Sequence, residues 1–76
     1  MVLAHFDLDK FAKRLRELRE EKGMSMMEFS RASDISHTSM HQWEHAKRMP
    51  SADTIFRLAR FFGCSTDYLI GLKDED

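Results

Sequence analysis

The chain has little of what would staple, span or catalyse: one Cys, one Pro and three Gly among 76 residues. A lone cysteine excludes an internal disulfide, and Cys64 stands in an apolar context where a thiol behaves as a small hydrophobe. A reducing, cytoplasmic setting is the expectation. No apolar run approaches the ~18 residues of a membrane span, and the N-terminus carries no signal-peptide pattern, so no membrane or export role is expected. A glycine-rich phosphate loop and a metalloprotease motif are also missing, and no base stands beside Cys64 in sequence. No catalytic residue, cofactor or small-molecule substrate is expected; the chain does not read as an enzyme. Strong positive charge is lacking too, with 12 Lys and Arg against 13 Asp and Glu. Without residues 73–76 the count is 11 bases against 10 acids, so any nucleic-acid affinity must come from local placement of charge.

What is present is a series of short amphipathic stretches, with no strand, repeat or low-complexity segment. A chain this short buries only roughly 60% of its unfolded surface and makes one small domain, 1–76. Met1 to Phe6 reads as a lead-in, mobile at its start. Asp7 or Asp9 caps a first helix running to Lys22, with Leu8, Phe11, Ala12, Leu15 and Leu18 as one inward stripe. Gly23 ends it as a left-handed residue, with Met24 folding back over the last turn. Ser25-Met26-Met27-Glu28 is a capping box for a second helix to about Ser33, burying Phe29 and Ala32. Asp34 and Ile35 form a tight turn, and Asp tolerates the left-handed conformation better than most residues.

Ser36 caps the stretch around which the rest is organised. At about 100° per residue, Met40 and Trp43 fall on one side of this third helix. Both read as core, the Trp43 indole N–H being expected to find a partner. His37, Thr38, His41, Gln42 and His45 fan out on the other side, a polar face without a carboxylate. Such a face suits a partner offering donors and acceptors. Two short helices joined by about three residues, the second with a polar outer face, form a helix-turn-helix over 25–45. A basic loop, Ala46 to Pro50, follows. Ser51 caps a fourth helix through Phe62, with Ile55, Leu58, Ala59 and Phe62 inward, and Gly63 stops it. Ser65 starts a last short helix, Thr66 to about Ile70, ended by Gly71, and the acidic tail is solvated. The expected fold is all-α, five short helices around Leu15, Leu18, Phe29, Ile35, Met40, Trp43, Ile55, Leu58, Phe62 and Leu69.

The sequence resembles the Cro/lambda-repressor-like (Xre-type) DNA-binding domains over about 10–71. The resemblance rests on four pieces in order: the run Arg14 to Gly23; Ser36 with Met40, Trp43 and Glu44; Lys47-Arg48 with Pro50-Ser51; and Phe62-Gly63-Cys64-Ser65 with Asp67-Tyr68-Leu69 and Gly71. It implies that the third helix lies in the major groove of an operator. His37, Thr38, His41 and Gln42 then take base-reading positions, Gln42 best of all, since its amide both donates to and accepts from adenine. Ser36, His45, Lys47 and Arg48 fall where phosphates are touched, the helix start offering backbone N–H groups as well. Arg19 and Glu44 match a structural ion pair tying the first helix to the third. The other first-helix bases read as a solvated face, with Arg14 or Lys13 the ones able to reach DNA. A homodimer on a palindrome is implied, with Thr66, Tyr68, Ile70 and Leu72 as interface candidates.

The expected function is therefore sequence-specific double-stranded DNA binding by a small bacterial or phage transcriptional repressor. Three departures from the pattern stand out. Met26 replaces the Gln with which relatives begin the second helix and anchor to phosphate, Asp34 replaces the turn glycine, and Ala46 the glycine after the third helix. Met24, Met26 and Met27, with the acidic tail, support an alternative: a protein-interaction module of the same fold, antitoxin-like or anti-repressor. His37, His41 and His45 repeat at i, i+4, i+8, a spacing that can chelate metal, but no Cys or acidic ligand completes a site, and none is expected.

Overall fold

The computed structural model describes residues 5–76, in which the chain forms α1 Leu8–Glu21, α2 Met26–Ser33, α3 His37–Glu44, α4 Ala52–Phe62 and α5 Thr66–Leu69. No strand occurs among the described residues. The expected mobility of the lead-in falls on Met1–Ala4, outside them, whereas the Phe6 ring packs against Phe11 with centroids 5.8 Å apart.

Every helix begins on a side chain placed for it. Asp7 caps α1, its carboxylate accepting from the Lys10 N–H at 3.0 Å. Asp9 sits inside the first turn, where negative charge suits the helix dipole. Ser25, Ser36, Ser51 and Ser65 accept from the N–H three residues on in α2 to α5. In α2 the Glu28 carboxylate also accepts from the Ser25 N–H at 3.0 Å, and these bonds hold the Glu28 carboxyl below its ordinary pKa.

The helix ends follow one pattern. Gly23, Ala46, Gly63 and Gly71 have φ of 68°, 53°, 70° and 90°, after α1, α3, α4 and α5. In each case the next N–H returns to a last-turn carbonyl: Met24 to Arg19 at 3.2 Å, Lys47 to Gln42 at 2.8 Å, Cys64 to Ala59 at 3.0 Å, Leu72 to Asp67 at 2.8 Å. Between α2 and α3, Asp34 takes the left-handed conformation at φ 60°. The two positions lacking the expected glycine are thus both left-handed, and Ala46 has no polar side chain to compensate.

Phe11, Leu15, Phe29, Met40, Leu58 and Leu69 are completely buried, with Ala12, Leu18, Ile35, Trp43 and Ala59 nearly so. Phe29 is enclosed by aromatic rings, Phe62 stacked on it at 5.6 Å and Phe61 edge-on at 5.1 Å. Ile55 and Phe62, expected in the core, lie half-buried at its margin. Ala32 is exposed, against expectation. The inward face of α2 is Met26, Phe29, Ser30 and Ser33, the 3, 4, 7 stripe, and Ala32 lies off it.

The tail also departs from the expected picture. Its side chains are exposed, yet it folds back: Asp76 accepts from the Ser65 N–H at 2.8 Å, and Asp74 pairs with Lys10 at 3.2 Å. Arg14 donates to the carbonyls of Tyr68 and Lys73, its guanidinium 4.0 Å from the Tyr68 ring centroid.

Ala46→Gly should raise stability by about 1 kcal/mol, a Tm gain of roughly 4–8 °C for a domain of this size. Asp34→Gly should gain less, because Asp already tolerates this conformation. Thermal melts of the two variants read the difference directly; equal gains would mean that the left-handed alanine carries no extra strain.

Candidate nucleic-acid interface

The site is built outward from a buried carboxylate. Glu44 closes α3 and is only 2% exposed. Arg19 forks onto it, Nε donating to Oε2 at 2.7 Å and Nη2 to Oε1 at 2.9 Å. Nη1 of the same guanidinium donates to the Met24 carbonyl at 2.7 Å. One side chain therefore joins α1, the turn after it and α3. Hydrogen bonding to Glu44 raises the Arg19 pKa above its usual value against the opposing effect of burial.

Arg16 adds a second tie. Its Nη2 donates to the Glu44 carbonyl at 2.9 Å, at the negative end of α3, and its Nε lies 3.7 Å from Oε1. By sequence Arg16 belongs with the solvated bases and Arg14 with those able to reach DNA. Instead Arg14 is committed to α5 and the tail, Arg16 to α3 and Lys10 to Asp74. The spacing of Arg16 and Arg19, three apart on one helix, was the available signal for a shared partner.

With Met40, Trp43 and Glu44 turned inward, the rest of α3 faces out. His37, Thr38 and His41 are exposed and Gln42 is half-buried. The only acid in α3 is the buried Glu44, so this face presents no carboxylate. Ser36 is exposed, its hydroxyl accepting from the Ser39 N–H at 3.1 Å. The His41 and His45 rings stack with centroids 4.0 Å apart, and His45 Nδ1 lies 2.9 Å from the His41 carbonyl oxygen. Lys47 and Arg48 are exposed in the following loop, and Arg48 Nη1 donates to Gln42 Oε1 at 3.4 Å. Trp43 is core as expected, but among the described residues its buried indole N–H has no hydrogen-bond partner, contrary to expectation.

The four interface candidates do not share one environment. Thr66 and Leu72 are exposed, Leu72 at 70%, while Tyr68 and Ile70 are half-buried. Tyr68 packs on the core beneath Arg14. Ile70 and Leu72 line a groove of about 300 Å³ with Phe6 and Lys10. Among the described residues no cluster of three His, Cys, Asp or Glu is arranged to hold a metal ion, and no helix is long and apolar enough to cross a membrane.

Arg19→Ala strands a buried carboxylate and should cost about 3–5 kcal/mol in urea denaturation. Arg16→Ala, whose side chain is 48% exposed, should cost about 1 kcal/mol or less. Similar losses in both variants would show that the burial of the pair does not govern its contribution.

A family model described as helix-turn-helix matches residues 15–69. The chain is 36% identical over 63 residues to the HTH-type transcriptional regulator ImmR of Bacillus subtilis (strain 168), covering 83% of this chain and 49% of that protein. It is 31% identical over 65 residues to YobD, an uncharacterized HTH-type transcriptional regulator of the same organism, covering 86% and 58%. The chain spans about half the length of the curated relatives it matches. The crystal structure of the restriction-modification controller protein C.AhdI from Aeromonas hydrophila superposes with a TM-score of 0.75 at 32% identity, covering 86% of this chain and 98% of that one. Together with α2, the left-handed turn at Asp34 and the pinned α3, these matches place the chain in the Cro/C1-type helix-turn-helix family of DNA-binding domains.

Proposed function

We propose that this chain is a transcriptional repressor, bacterial or phage in type, that binds a palindromic operator in double-stranded DNA as a homodimer and acts in the cytoplasm. The observation that carries the reading is the outer face of α3. It is polar, exposed and free of carboxylate because its only acid is buried against Arg19. A polyanion meets no carboxylate of α3 there. His37, Thr38, His41 and Gln42 are the base readers in this reading. Ser36, His45, Lys47 and Arg48 contact phosphate on either side. The transcriptional-regulator names of ImmR and YobD support the regulatory role. One such helix covers few base pairs, so two copies on half-sites about 34 Å apart are needed for a specific operator. Leu72, exposed beside the groove with Ile70, is the best-placed apolar contact for a second copy.

A second reading has its own support. Met27 is 55% exposed and Met26 half-buried at the start of α2, an apolar spot that suits a protein partner. The two readings part on salt, because phosphate neutralisation makes affinity fall with ionic strength and apolar contact does not.

Selection of bound duplexes from a random pool should return a palindrome. Titration on it should fall steeply with salt, and Lys47→Ala should weaken all sequences alike and lessen the salt slope by about 1 per site. Recovery of weak, sequence-blind binding alone would move the weight to the protein-partner reading. Leu72→Ser should weaken self-association in sedimentation and operator affinity together; a folded variant unchanged in both would place the dimer contact elsewhere.

A further inference from the structure

We propose that Arg14 is a positioning residue for self-association: from α1 it fixes the chain that follows α5, and so presents Leu72 to a second copy. The inference rests on the reading in which Leu72 is the contact between copies.

α5 has four residues, too few to hold a helix without outside contacts, so the chain after it takes its course from what it meets. What it meets is α1. Arg14 Nη1 carries two N–H groups and donates to the carbonyls of Tyr68 and of Lys73, the latter at 3.0 Å. These two carbonyls bracket Leu72 in sequence. The guanidinium also lies 4.0 Å from the Tyr68 ring centroid, which fixes its plane. One turn earlier on the same face of α1, Lys10 runs beneath Gly71, where an added Cβ would come within 2.8 Å of Lys10 Cδ. Gly71 reverses the chain at φ 90°, and the Leu72 and Lys73 N–H groups return to the Asp67 carbonyl at 2.8 and 3.3 Å.

The Leu72 side chain is left out of these contacts. It is 70% exposed and lines the groove of about 300 Å³ with Phe6, Lys10 and Ile70. Of the two α1 bases, Arg14 carries the effect. The Lys10–Asp74 pair is exposed and holds side chain to side chain, whereas half-buried Arg14 makes charge-assisted bonds to the backbone itself. A contact residue on a loose segment must be ordered when two copies meet, at a cost in affinity, and a segment already fixed avoids that cost.

The test compares Arg14→Ala with wild type. Its dimer dissociation constant in sedimentation should rise by about tenfold or more, since two segments are freed per dimer. Amide hydrogen exchange should quicken at Leu72 and Lys73, while the Met24, Lys47 and Cys64 amides at the ends of α1, α3 and α4 keep their protection. Affinity for the full palindrome should fall, and binding to a single half-site, which needs one copy, should not change. Gly71→Ala disturbs the same segment without removing Arg14 and should act in the same direction; it decides the matter if Arg14→Ala does not fold. A dimer constant unmoved in the folded variant, or a half-site affinity that falls as far as that for the palindrome, overturns the proposal and leaves the DNA-binding reading intact. Undiminished self-association of Leu72→Ser does the same. Wild-type protein that stays monomeric both alone and on the operator removes the proposal and the dimer reading together.

Discussion

A carboxylate taken out of water is tolerated only where its charge is met by directed donors, and the Glu44 carboxylate is almost wholly out of water. Arg19 meets it with two N–H groups and uses a third on the Met24 carbonyl, so the pair can close only when α1, the following turn and α3 are in register. Apolar burial of Met40 and Trp43 holds α3 to the core but is nondirectional. The forked bond sets the rotation of α3 about its own axis. That rotation decides which residues face out, and it sends the helix's only acid inward.

The loop after α3 is held by a different constraint. Ala46 accepts a left-handed conformation that glycine adopts without penalty, and in return the chain reverses within one residue and brings Lys47 and Arg48 back beside Gln42. The same pair of backbone bonds closes α1, α4 and α5 on glycines, where no side chain opposes it. Strain is thus concentrated next to the candidate interface.

Charge is distributed with the same bias. The chain is close to neutral, and several bases of α1 are taken up internally: Lys10 by Asp74, Arg14 by the carbonyls of Tyr68 and Lys73, Arg16 and Arg19 by Glu44. The acidic tail folds against α1 and α5. Lys47 and Arg48 remain exposed beside α3, where a local field acts despite a net charge of −1.

What depends on near neighbours along the chain was legible before any fold was known. Five helices, their serine and aspartate caps, the capping box at Glu28 and the left-handed residue at Asp34 all rest on residues within a few positions of each other, where helix geometry is fixed. The buried stripe of α1 was legible for the same reason. Ala32 was misplaced because one helical position turns a side chain by about 100°, and α2 is too short for its pattern to fix the phase. The tertiary structure alone decided the partners of Arg14, Arg16, Arg48 and Asp76. Arg16 meets Glu44 across 28 residues and Arg14 meets Tyr68 across 54. Arg48 meets Gln42 only after the Ala46 turn. Those meetings depend on how helices cross and where loops return, which the packing of the core sets and local spacing does not.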